Sequence, residues 1–278
     1  MKRELLVNGE KISYIDEGMG EVILFIHGNM SSSMFFKNLI CRLKKFYRCI
    51  ALDLPGFGDS SYVNEFHSFK DVSKLVLNFM NKLEIETFYL LGWSFGGGVS
   101  LNLAKMHRGV KKIILLSSII PRNARSIGDY SFDMGLDFVD FGFNFTKNFE
   151  NFNPFLKFFK KGESLILENF ACENFKYIYN VKNLSEEEYR LNINEAKKQR
   201  NFKDVLHLIY NFYFYDKLDR KVLIIHGDND IIIPVSLSYR LNELLQNSIL
   251  KIYDECGHSP QTDKLDLLCE DIKKFFVD

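Results

Sequence analysis

A chain of 278 residues with 46% hydrophobic residues can bury one sizeable core. Its 36 basic and 36 acidic residues cancel, which argues against nucleic acid or an anionic membrane as the main partner. The stretch Met1–Gly9 turns polar too soon for a secretory leader, and no apolar run approaches the ~20 residues of a spanning helix. Five cysteines (Cys41, Cys49, Cys172, Cys256 and Cys269) are odd in number and lack metal-ligand spacing. The expectation is a cytoplasmic protein with reduced thiols, no metal and no cofactor. No sequence feature sets an oligomeric state.

In chain order, Glu4–Val7 and Lys11–Ile15 read as a hairpin joined by Asn8-Gly9, a strong tight-turn signal. Val22–Ile26 is apolar throughout, as a strand buried on both faces must be. Phe35–Phe46 reads as a helix and Cys49–Leu52 as the next strand. Ser68-Phe69-Lys70-Asp71 resembles a capping box with Asp in the usual Glu position. Behind it Phe69, Val72, Val76, Phe79, Met80 and Leu83 recur at helical spacing. Phe88–Leu91 and Ile113–Leu116 read as strands on either side of a helix over Gly97–Ala104. Lys221–His226 and Ile249–Tyr253 read as late strands, and Val235–Leu245 and Leu265–Phe276 as helices. Strands alternating with helices predict an α/β protein with a mostly parallel, doubly wound sheet. Ligands bind such sheets at the C-terminal ends of the strands.

The alternation breaks between about residues 119 and 218. More than half of the 27 phenylalanines fall there, including the run Phe138–Phe159. Ser185-Glu186-Glu187-Glu188 marks a helix start, so the segment reads as mostly helical. An apolar lid and a chain-wide compositional bias toward Phe, Lys, Asn and Ile explain the phenylalanines equally well. Lys160-Lys161 and Lys197-Lys198-Gln199-Arg200 read as solvated helix faces.

Gly92-Trp93-Ser94-Phe95-Gly96 lies between a strand and a helix. A G-x-S-x-G in that setting lifts the serine hydroxyl out of the sheet on a sharp turn and aims a helix N-terminus at the reacting centre. A carboxylate and a histidine should follow in that order. Gly227-Asp228-Asn229-Asp230 closes a late strand, and His258 is the only histidine after it. A serine, an imidazole and a carboxylate on strand-end loops are what is needed to deprotonate a hydroxyl at neutral pH. His27 and His226, each before a glycine, read as loop braces, as does Asp53.

With these residues in place the chain resembles the α/β-hydrolases over nearly its whole length. His27-Gly28-Asn29-Met30 is similar to the family's oxyanion loop, and Asp53-Leu54-Pro55-Gly56-Phe57-Gly58-Asp59-Ser60 to its next strand-end loop. The resemblance implies an α/β-hydrolase fold with residues 1–118 and 219–278 as the core and 119–218 as a helical cap. It implies Ser94 as nucleophile, His258 as base and Asp230, rather than Asp228, as the acid. The backbone N–H groups of Asn29 and Phe95 would form the oxyanion hole, and Met30 and Trp93 would touch substrate. Haloalkane dehalogenases share a similar His-Gly-Asn loop, but they and the epoxide hydrolases use an aspartate where this chain has Ser94.

The expected function is hydrolysis of a small-molecule carboxylic ester with a small or medium apolar acyl group, through an acyl-enzyme. The alternatives are carbon–carbon bond, lactone or thioester hydrolysis, perhydrolysis, or a non-catalytic binding protein on the same fold. The segments His27–Met30, Gly56–Tyr62 and Gly92–Gly98 are also similar to intracellular polyhydroxybutyrate depolymerases.

Overall fold

Residues 2–124, 184–215 and 217–277 are described by the computed structural model. Asn8 and Gly9 both take positive φ, 52° and 85°. That turn matches the twist of the flanking strands, so Arg3–Val7 (β1) pairs antiparallel with Glu10–Glu17 (β2). The remaining strands are Val22–Ile26 (β3), Arg48–Leu52 (β4), Phe88–Trp93 (β5), Val110–Leu116 (β6), Val222–Gly227 (β7) and Ser248–Tyr253 (β8). Their order in the sheet is β1-β2-β4-β3-β5-β6-β7-β8, parallel from β4 onward. The chain runs from β3 outward to β4, then crosses back to β5 and proceeds the other way. The reversal leaves a crevice between the C-terminal ends of β3 and β5, where α/β sheets place their ligands.

The period of two along each strand divides the core between two faces. Val22, Leu24 and Ile26 of β3 join one apolar cluster, and Ile23 and Phe25 join the other. The first cluster is covered by Phe69–Lys82 (α2), Phe95–Met106 (α3) and Ser236–Leu244 (α6). The second is covered by Lys37–Leu43 (α1) and Leu265–Val277 (α7). Each Leu, Ile or Phe fully buried in this way contributes about 1.5–3 kcal/mol of apolar transfer. The Ser68 hydroxyl caps α2 by accepting from the Asp71 N–H at 3.2 Å. It also donates to the Asp71 carboxylate at 2.7 Å, a variation on the expected box.

The predicted helix over 35–46 is shorter than its pattern. A 3₁₀ turn at Ser33–Phe36 leads into α1, which stops at Leu43. The N–H groups of Phe46 and Tyr47 both turn back to the Leu43 carbonyl, so the chain can enter β4. Between residues 119 and 218 the described helices are Glu186–Ala196 (α4) and Phe202–Tyr210 (α5). Ser185 and Glu188 form a complete capping box at the start of α4. The runs Phe138–Phe159 and Lys160-Lys161, and Cys172, lie outside the described residues. No helix among the described residues is long and apolar enough to cross a membrane.

Candidate active site

Ser94 stands between β5 and α3, as the N-cap of α3, at φ 54° and ψ −118°, a backbone conformation that costs a non-glycine residue on the order of 1–3 kcal/mol. Main-chain bonds hold it there. Its N–H donates to the Leu116 carbonyl at 2.9 Å, and its carbonyl accepts from Gly97 N–H at 2.9 Å and Ile119 N–H at 3.2 Å. Gly96 packs directly on the main chain of Ile26, and a side chain there would collide with the Ile26 carbonyl. A Cβ on Gly28 would lie 3.0 Å from the Ser94 Cβ, so the loop after β3 rests against the serine.

Asp230 follows β7 on a loop and is buried. Its Oδ1 accepts the N–H groups of Ile232 and Ile233, each at 2.9 Å. Its Oδ2 lies 2.7 Å from His258 Nδ1 and 3.1 Å from His226 Nε2. Burial works against its charge, but the His258 and His226 imidazoles outweigh it and hold the carboxyl well below the usual carboxylate range. The bond to Asp230 puts the His258 proton on Nδ1 and leaves Nε2 as the acceptor, the tautomer a general base requires. Asp228, by contrast, is exposed and accepts from Cys256 N–H at 3.1 Å and Asn229 Nδ2 at 2.7 Å.

His226 braces the Asp230 loop. Its Nε2 must donate, because the Ile233 carbonyl 2.8 Å away can only accept. Its Nδ1 therefore accepts the Ser238 hydroxyl at 2.7 Å. Trp93 is fully buried among Phe35 and Phe36, and its indole N–H donates to the His258 carbonyl at 2.7 Å. The sequence reading placed Trp93 against substrate; in the structure its side chain is buried and anchors the His258 loop.

The loop after β3 is held by side chains. His27 Nδ1 donates to the Gly28 carbonyl at 2.8 Å, and its Nε2 accepts the Leu54 N–H at 3.0 Å. Complete burial pushes this imidazole down to about 4, so it stays neutral. Asp53 Oδ1 accepts from Ser33 N–H at 2.9 Å and from the Ser33 hydroxyl at 2.6 Å. Its Oδ2 accepts from Lys2 Nζ at 2.7 Å and Asp59 N–H at 3.0 Å. Among the described residues the N–H groups of Asn29 and Phe95 have no partner. Phe95 is the first residue of α3, where the helix dipole favours negative charge. Met30, half-buried beside Asn29, takes φ 50°.

The sequence reading missed Gln199. Lys197–Arg200 was expected as a solvated helix face, but α4 ends at Ala196 and the next residues grip the core. Gln199 Oε1 accepts the Met30 N–H at 2.8 Å, and its Nε2 donates to Asn29 Oδ1 at 2.7 Å. Lys198 binds Asp59 at 2.8 Å and Glu195 at 2.6 Å. Arg200 donates from its guanidinium to the Ser60 carbonyl and from its N–H to the Gly56 carbonyl at 2.8 Å. A lone glutamine inside a basic run carries no periodic signal that could have marked it.

The chain belongs to the alpha/beta hydrolase fold family, which it matches over residues 21–265. It is 28% identical over 268 residues to a 2-hydroxymuconate semialdehyde hydrolase of Pseudomonas sp. (strain CF600), covering 94% of this chain and 88% of that one. A meta-cleavage product hydrolase from Pseudomonas fluorescens, solved with acetates bound, is 25% identical with a TM-score of 0.71, covering 99% of this chain and 97% of that one. An esterase from Exiguobacterium antarcticum superposes with a TM-score of 0.78 at 20% identity, covering 100% of both chains, a likeness of fold.

Proposed function

We propose that this protein is a serine hydrolase that breaks a carbon–carbon bond beside a carbonyl, in a substrate of the 2-hydroxy-dienoate class with a conjugated aldehyde or ketone. The observation that carries the serine chemistry is the buried Asp230–His258 pair at 2.7 Å, on loops that meet the Ser94 elbow through Trp93. The choice of bond rests on the near-full-length likeness to hydrolases of that substrate class. In this reading residues 119–218 form the cap over the site, and the enzyme is cytoplasmic, in keeping with the free thiols of Cys41, Cys49, Cys256 and Cys269.

His258 Nε2 takes the Ser94 proton as Oγ attacks the carbonyl carbon. The N–H groups of Asn29 and Phe95 receive the oxyanion, which draws far more stabilisation from them than the neutral carbonyl does. Collapse breaks the carbon–carbon bond. This requires that the 2-hydroxyl proton has first moved to the carbon beside the aldehyde or ketone, leaving a ketone at C2. The departing carbon then becomes part of a dienolate whose charge rests on the C2 oxygen, and the His258 imidazolium returns a proton to that dienolate. The same base then activates water to release the acyl group from Ser94.

Purified protein would be assayed for loss of the visible absorbance of 2-hydroxymuconate semialdehyde and for release of p-nitrophenol from acetyl, butyryl and hexanoyl esters. The expected result is a kcat/KM for the dienoate at least tenfold above that of every ester. The reverse ranking would return the reaction to the carboxylic esters expected from the sequence. Failure of a fluorophosphonate to label Ser94 would rule out both.

A further inference from the structure

The Asn29–Met30 peptide needs an external hold. Met30 sits at φ 50°, a region in which side chains other than those of Gly, Asn and Asp are strained. Asn29 and Met30 follow a strand end and belong to no helix or strand, so no ladder fixes them. What fixes them is one side-chain amide. The Met30 N–H can only donate, so the Gln199 oxygen must face it, at 2.8 Å. That choice turns the Gln199 NH₂ toward Asn29 Oδ1, at 2.7 Å. The Asn29 side chain is thereby engaged, and its backbone N–H is left as the group open to a substrate oxygen.

Gln199 is itself held from behind. Its Nε2 also reaches Asn201 Oδ1 at 3.1 Å, and Asn201 Nδ2 donates to the Pro55 carbonyl at 2.8 Å. With the bonds of Lys198 and Arg200, residues 198–201 tie the loop after β3 to the loop after β4. A glutamine anchored at both ends in this way is pre-organised, and its bonds to the loop cost little further side-chain entropy.

We infer that Gln199 is a positioning residue for the oxyanion hole: it holds the Asn29–Met30 peptide in the orientation that presents the Asn29 N–H to the developing negative charge. This rests on the proposed serine mechanism and extends it to a residue outside the four strand-end loops that carry Asn29, Ser94, Asp230 and His258. An oxyanion donor is worth much in the transition state and little in the ground state, so loosening it lowers kcat more than it raises KM. A displacement of about 1 Å in such a donor costs about 10- to 100-fold.

The test compares wild type, Gln199→Met and Gln199→Glu on the best substrate of the assay above. Methionine has similar length and no hydrogen-bonding amide. Glutamate keeps an oxygen for the Met30 N–H, and Asn29 can rotate its own amide to donate to it. Fluorophosphonate titration counts competent Ser94 in each variant. A trifluoromethyl ketone, which forms a tetrahedral adduct, reports oxyanion binding. The expected result is a kcat per titrated site about 10- to 100-fold lower in Gln199→Met, with KM within about threefold and ketone affinity reduced by a similar factor to kcat. Gln199→Glu should recover part of the loss, because it keeps an acceptor for the Met30 N–H but sets its second oxygen against Asn201 Oδ1. Should Gln199→Met not fold, Gln199→Asn, one methylene too short to reach both partners, replaces it with the same expectation. A kcat per site within twofold of wild type, or a loss with unchanged ketone affinity, would overturn the inference while leaving the serine mechanism intact. Wild-type protein that titrates with no fluorophosphonate would instead remove the mechanism, and this inference with it.

Discussion

The elbow after β5 and the loop after β3 meet at the same crevice but are held by opposite means. The elbow is fixed by main chain: Ser94 N–H to Leu116, its carbonyl to Gly97 and Ile119, and Gly96 against Ile26. The Ser94 side chain takes no part in holding the turn. The loop after β3 is fixed by side chains, namely the buried His27 and Asp53 and the half-buried Gln199. The lesson is that removing a side chain should alter chemistry in the first region and stability or geometry in the second.

The sharpest test of that contrast is Ser94→Ala. With its backbone bonds untouched, the variant should melt within about 2 °C of wild type while losing on the order of 10⁴- to 10⁶-fold in kcat. Calorimetry and a steady-state assay on one preparation decide it. A variant that keeps more than a few per cent of activity would falsify the proposed nucleophile.

Asp230, the proposed acid, gives the next largest effect. Asp230→Asn can still bond to His258, but an amide favours the wrong imidazole tautomer and does not stabilise the imidazolium, so kcat should fall by about 10⁴-fold. Asp228→Asn, at an exposed position whose partners are the Cys256 N–H and Asn229, should stay within about threefold. Equal losses in the two variants would mean that the bond at 2.7 Å between Asp230 and His258 is not what matters.

Asp53→Ala probes the side-chain region. It strands the Ser33 N–H and hydroxyl and the Asp59 N–H around a buried void, and leaves Lys2 only the Asp59 and Glu195 carboxylates. Breaking a buried charged network costs about 3–5 kcal/mol, readable in urea unfolding. A loss below about 1 kcal/mol would show that the loops after β3 and β4 are held by something other than Asp53.

The smallest effect is a pH dependence at His27. Its folded value of about 4 lies below the ordinary 6.5, so between these limits the unfolded chain binds the extra proton. Stability from this group is therefore complete above about pH 6.5 and is lost as pH falls toward 4. The loss between pH 7 and pH 5 should be about 2 kcal/mol. Protonation at Nε2 would also break the bond from Leu54 N–H. An NMR titration that shows His27 taking up its proton above pH 6 would refute this.

The sheet was largely legible because its signals are local. The unbroken apolar run Val22–Ile26 can only be a strand covered on both faces, and Asn8-Gly9 can only turn tightly. Ser94 was legible because glycines on both sides are a steric requirement of the elbow. The order of Ser94, Asp230 and His258 along the chain pointed to the remaining candidates. Three-dimensional packing decided what no spacing encodes. It brought Asp230 rather than Asp228 against His258, it buried the Trp93 ring with its N–H on the His258 carbonyl, and it ended the first helix at Leu43 instead of Phe46. It also carried Gln199 across 169 positions of chain to the Met30 N–H. A hydrogen bond between residues so far apart depends on where two separately folded segments come to rest, and neither segment's pattern contains the other.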